Sequence, residues 1–170
     1  MAKENATLVT GLFKSRAAAE TVVDTLLKEG YSQNDISVIM SEATKSKEFA
    51  LEAKTQTAAG AGVGGAVGGT IGAVLAGILA VGTSLVVPGL GLVVAGPIAA
   101  ALAGAGAGAA TGGLIGALIG AGIPEHRAKV YEAGVREGGI LIGVETRSDK
   151  DADRLEKLFE DLGAQGVRQE

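Results

Sequence analysis

Two hydrophobic rhythms alternate at each end of the chain, and a long stretch between them has no polar rhythm at all. Thr7-Leu8-Val9-Thr10-Gly11-Leu12-Phe13 is short, apolar and partly β-branched, the pattern of a strand. Ser15 stands where a helix N-cap belongs, and Ala19, Val22, Val23, Leu26 and Leu27 then fall on one helical face that Gly30 terminates. Asp35 to Met40 reads as a second strand. Ser41 to Gln56 is polar, with Phe49 and Leu51 interspersed, and predicts a helical lead-in. At the other end, Glu125 to Glu137 predicts a short helix with Tyr131 and Val135 one turn apart, stopped by Gly138-Gly139. Ile140 to Thr146 is a third strand, and Ser148 caps a helix with the apolar face Ala152, Leu155, Leu158, Phe159 and Leu162. Gly163 ends that helix, and Gln165 to Gln169 is a short fourth strand.

Between Lys54 and Glu125 lie seventy positions without a charged residue, twenty of them glycine. Gly60, Gly64, Gly68 and Gly72 recur every fourth residue, and Gly104, Gly108, Gly112, Gly116 and Gly120 repeat the spacing. Residues four apart share a helical face. Each series would therefore form a smooth strip on which another helix backbone can approach closely, the small-xxx-small pattern of helices packed in lipid. These nine glycines are the expected helix-packing interface. Pro and Gly between Ser84 and Gly91 divide the stretch into two expected helices, Thr57 to Thr83 and Pro97 to Gly122. Pro97 suits a first helical turn. At 1.5 Å per residue each helix would be roughly 39 Å long, enough to cross a hydrocarbon core of about 30 Å.

Removing the stretch leaves strand–helix–strand twice. That order predicts an α+β fold, a ferredoxin-like antiparallel sheet with helices on one face, interrupted by a long glycine-zipper helical hairpin. The corresponding divisions are 1–54 for the first half of the sheet domain with its lead-in, 55–124 for the hairpin, and 125–170 for the second half. Both halves must meet in one sheet, so the insertion has to leave and return on one side of anything it penetrates. A flexible Gly-Ala linker fits less well, because Ile71, Val74, Leu75, Ile78, Leu79, Leu114, Ile115, Leu118 and Ile119 recur through it. Glycine costs roughly 1 kcal/mol relative to Ala at each exposed helical position, so packing or lipid has to hold such helices.

Charge and chemistry narrow the function classes. The net charge of −4 leaves no basic footprint for nucleic acid. The chain has no Cys, and its first residues lack the layout of a secretion signal. Gly60-Ala61-Gly62-Val63-Gly64-Gly65 contains G-x-G-x-x-G, but no strand precedes it and no acid follows before Glu125. Asp149, Asp151, Asp153 and Glu160 have the spacing of a calcium loop, yet Arg154 occupies the position that needs Gly. Acids in a first helical turn, favoured by the macrodipole, explain them without a metal. His126 is the only histidine and cannot assemble a zinc site by itself. No catalytic residue, cofactor or metal is expected.

Gly122-Ile123-Pro124-Glu125-His126-Arg127-Ala128, followed by Tyr131-Glu132-Ala133-Gly134-Val135-Arg136-Glu137-Gly138-Gly139-Ile140-Leu141, resembles bacterial heat-induced or general stress proteins, some labelled low-temperature-induced. The resemblance implies a stress-induced protein and brings no catalytic residues. The expected function is non-enzymatic, with self-assembly into a homo-oligomer through the glycine faces and a lipid bilayer as second partner. In that case both termini face the cytoplasm at an inner membrane, because Lys45, Lys47, Lys54, Arg127, Lys129 and Arg136 flank the insertion while its central turn has no basic residue. The alternatives are a large cytoplasmic assembly (shell, ring or filament) with buried hairpins, and a membrane-anchored ligand-sensing module.

Overall fold

The computed structural model describes residues 7–47, 85–87, 91–104 and 107–169, with backbone alone for 85–87, 104 and 107–112. The element order is β1 (Leu8–Phe13), α1 (Arg16–Lys28), a 3-10 turn (Gln33–Asp35), β2 (Ile36–Ser41), β3 (Leu85–Val87), β4 (Leu92–Ala95), α2 (Pro97–Gly104), α3 (Ala107–Gly120), α4 (Glu125–Arg136), β5 (Ile140–Glu145), α5 (Asp149–Asp161) and β6 (Gln165–Gln169). Residues 42–47 are also helical.

Local chemistry sets the ends of the terminal elements much as expected. The Ser15 hydroxyl accepts from the Ala18 N–H, and the Ser148 hydroxyl accepts from the Asp151 N–H, so each caps the helix that follows it. Asp149 and Asp151 lie in the first turn of α5, as the macrodipole favours, and not in a loop.

The six strands form one antiparallel sheet in the order β3-β4-β2-β5-β1-β6. The two strand–helix–strand halves interleave: β5 of the second half lies between β1 and β2 of the first, and β6 lies outside β1. This is an α+β fold.

The period of two along each strand sorts side chains between two cores. Val9, Phe13, Ile36, Val38, Met40, Val93, Ile140, Ile142 and Val144 meet α1 and α5 on one face, where Phe13 and Phe159 pack edge to face with centroids 5.6 Å apart. Leu8, Leu12, Ile39, Leu92, Val94 and Leu141 point the opposite way and meet α2, α3 and α4.

Helices were expected on one face; they cover both, and the uncharged stretch supplies most of the second layer. Leu8, Leu12, Ile39 and Leu141 would otherwise face water, which is the physical reason for that layer.

Two further expectations change. The segment read as an interhelical turn is instead a β-hairpin, β3 and β4, that extends the sheet from β2. Its Leu and Val content suits a strand buried on both faces, and Val93 and Val94 do point into opposite cores. The helix expected from Pro97 to Gly122 is two shorter ones, and the second is interrupted at Gly113 (φ 56°, ψ −145°). Thr57 to Thr83, the other expected helix, lies outside the described residues. At the corner between β4 and α2, Gly96 has φ 87°, and a Cβ there would stand 2.1 Å from the Ile36 carbonyl oxygen, so only glycine fits.

Candidate functional site

Two surface regions stand out among the described residues. The first is the outward side of α3. This helix carries no charge, and it buries Leu114, Ala117 and Leu118 against the sheet layer. Ile115 is half-buried, Ile119 is 44% exposed, and a Cβ on Gly120 would meet nothing within 4 Å. A recess of about 330 Å³ opens beside this end of the helix, lined mainly by Leu8, Pro97, Ile98, Ala101 and Gly120, with Glu145 at its wall. A surface helix normally turns charged residues to water; α3 has none to turn.

Of the nine glycines expected to form the packing strip, Gly60, Gly64, Gly68 and Gly72 lie outside the described residues. Gly104 ends α2. Gly108, Gly112, Gly116 and Gly120 lie in α3, where the non-helical backbone at Gly113 separates Gly112 from Gly116. The regular strip therefore does not run unbroken through α3. Its last pair, Gly116 and Gly120, remains one regular turn apart.

The second region is built on Tyr131, which is 1% exposed and spans from α4 to the sheet edge. Its hydroxyl donates to the Gly166 carbonyl oxygen. That leaves its lone pairs to accept from the Thr10 hydroxyl at 2.9 Å and from Arg127 Nη2 at 2.9 Å. The same Arg127 nitrogen donates to Gly166 O at 3.0 Å, and the guanidinium lies 5.6 Å from the Tyr131 ring centroid.

Gly166 accommodates this with φ 65°, at a point where the β1–β6 register slips between the pairs Thr10–Arg168 and Leu12–Gln165. Bulges of this kind re-aim side chains at sheet edges. Beside it is a cavity of about 450 Å³ whose lining includes His126, Arg127, Tyr131, Glu160, Gly166 and Arg168.

A larger cavity, about 610 Å³, lies on the far side of Val130 and is lined by Leu12, Lys14, Thr44, Lys47 and Glu137 among others. Val130 is 61% exposed and borders both.

Helical spacing sets Tyr131 only one turn from Val135, and His126 only in a first helical turn. The structure joins His126 and Arg127 to Arg168, a meeting that depends on β6 pairing with β1 and that no local spacing announces. Among the described residues, no group of three acids or histidines is placed to hold a metal ion. No helix among them is long and apolar enough to cross a membrane.

Residues 9–86 match the family model described as the heat-induced stress protein YflT domain. The match bears out the resemblance to bacterial heat-induced stress proteins and fits a stress-related role. It begins within β1 and ends within β3, whereas the Gly122–Leu141 run that suggested the resemblance lies beyond it. No curated protein and no solved structure matches the chain.

Proposed function

We propose that the chain is a non-enzymatic, stress-induced protein that self-assembles through its uncharged segment, with the charged sheet domain facing water. The observation that carries this reading is the outer side of α3: Ile119 exposed and Gly120 open at the edge of a recess, on a helix with no charged residue. An exposed isoleucine on an uncharged helix end is the kind of surface a symmetric pair of copies buries. The Gly116–Gly120 pair permits a close backbone approach there.

The soluble assembly is favoured over a bilayer-crossing hairpin because the second half of the uncharged segment is committed to the sheet. At 1.5 Å per residue, an unbroken helix of α3's fourteen residues would span about 21 Å, short of a hydrocarbon core of about 30 Å. Lipid contact remains the second reading, favoured by the seventy uncharged positions.

The two separate in one experiment, the mass of the full chain in buffer with and without detergent. The assembly reading predicts a discrete multimer in plain buffer. A chain that leaves the membrane fraction only with detergent would replace it with the lipid reading, and a detergent-free monomer would contradict both.

A further inference from the structure

We propose that the cavity between α4 and β6 is a binding site for a small phosphate-class oxyanion. It goes beyond the assembly reading and stands on a different surface.

Residues 125–170 contain more acids than bases. Yet the cavity beside Tyr131 gathers His126, Arg127 and Arg168, with Glu160 the single carboxylate in its lining. Two arginines and a histidine line this one hollow, and arginine suits phosphate because its guanidinium is a planar, permanently charged set of donors. His126 and Arg127 also lie in the first turn of α4, where the helix dipole favours negative charge.

The scaffold beneath is fixed. Tyr131 is buried and its hydroxyl is saturated by Thr10, Arg127 and Gly166, so the pocket floor and the Arg127 stem are held before any ligand arrives. Arg168 is held less firmly. Its ion pair with Glu156 is 3.7 Å long, its Nη1 donates to the neighbouring Val167 carbonyl oxygen at 3.2 Å, and its side chain is 65% exposed. Such a pair contributes little, so Arg168 can turn toward an anion at small cost. The cavity volume of about 450 Å³ leaves room for a small organic group attached to the phosphate.

The test is equilibrium dialysis of the full chain against labelled inorganic phosphate at constant ionic strength, which works whatever the particle size. Arg168→Gln is the informative variant, because Arg168 is exposed and outside the Tyr131 network. The proposal expects saturable uptake of one phosphate per chain, weakened about tenfold in Arg168→Gln, as loss of one charge-assisted contact implies. His126→Gln should weaken it further when combined, with the circular dichroism spectrum unchanged. Uptake that never saturates, that sodium chloride abolishes at equal ionic strength, or that is identical in the double variant would overturn the proposal.

Discussion

The buried Ser37 hydroxyl on β2 accepts a hydrogen bond from the Ile98 backbone N–H at 3.2 Å, tying the start of α2 to a strand 61 positions earlier in the chain. Ile98 is the second residue of its helix, so its N–H has no partner within the helix and takes one from the sheet. Ser37→Ala should leave that donor buried and unpaired, lowering unfolding free energy by about 1–3 kcal/mol. Urea unfolding checks this. A change within a few tenths of a kcal/mol would mean that α2 is not seated on β2.

A second consequence concerns the layer as a whole. Removing residues 85–122 and bridging the gap deletes β3, β4, α2 and α3 together, uncovering Leu8, Leu12, Ile39 and Leu141. The expected product retains far-ultraviolet helix signal but binds a hydrophobic dye and shows poor amide dispersion. A well-dispersed, dye-free product would show that the terminal strands fold without their second layer.

Tyr131→Phe keeps the ring in the core and removes the hydroxyl on which Thr10, Arg127 and Gly166 converge. The buried Thr10 hydroxyl loses its acceptor, and the variant should be destabilised by about 1–3 kcal/mol. Thr10→Val, which removes the other partner, should add little once Tyr131 is Phe, because the two share one interaction. Urea unfolding of the two single variants and the double variant reads the coupling, and fully additive losses would contradict a shared hydrogen bond.

The same variant isolates the chain's other tyrosine. Burial, then the Asp151 carboxylate, raises the Tyr31 phenol pKa above its ordinary value of 10.0, while Arg147, stacked 4.4 Å from the ring centroid, and Arg154 pull the other way. Because the folded-state pKa is the higher one, the stabilisation is fully present below pH 10.0 and is lost as pH rises through the folded value. Ultraviolet titration of Tyr131→Phe should show the phenolate forming above pH 10.0. A midpoint at or below that value would contradict the buried environment.

How far the sequence could be read depends on whether neighbours in space are neighbours in the chain. Ser15, Gly30, Ser148 and Gly163 announce their helix ends because caps are local, and Ala152, Leu155 and Phe159 announce a buried face because helical spacing is local. Residues 84–96 misled because Pro88, Gly89 and Gly91 look like a break between helices, while the Leu and Val flanking them are too few to give a strand rhythm. What decides their state is the open edge of β2, which only the assembled sheet presents. Equal spacing also does not announce that Gly113, between Gly112 and Gly116, takes a non-helical backbone conformation. The cavity beside Tyr131 was illegible for the same reason as the hairpin, since Arg127 and Arg168 meet only through the β1–β6 pairing.

The most direct test of the assembly account is the particle mass by light scattering, in detergent-free buffer, of the full chain and of Ile119→Lys. Ile119 is 44% exposed, so the substitution leaves the α3 core contacts in place while setting a charge on the surface proposed to meet its copy. The account predicts a multimer for the unaltered chain and at least a twofold smaller particle for the variant, with matching circular dichroism spectra. Equal masses for the two, or a monomer for the unaltered chain, would contradict it.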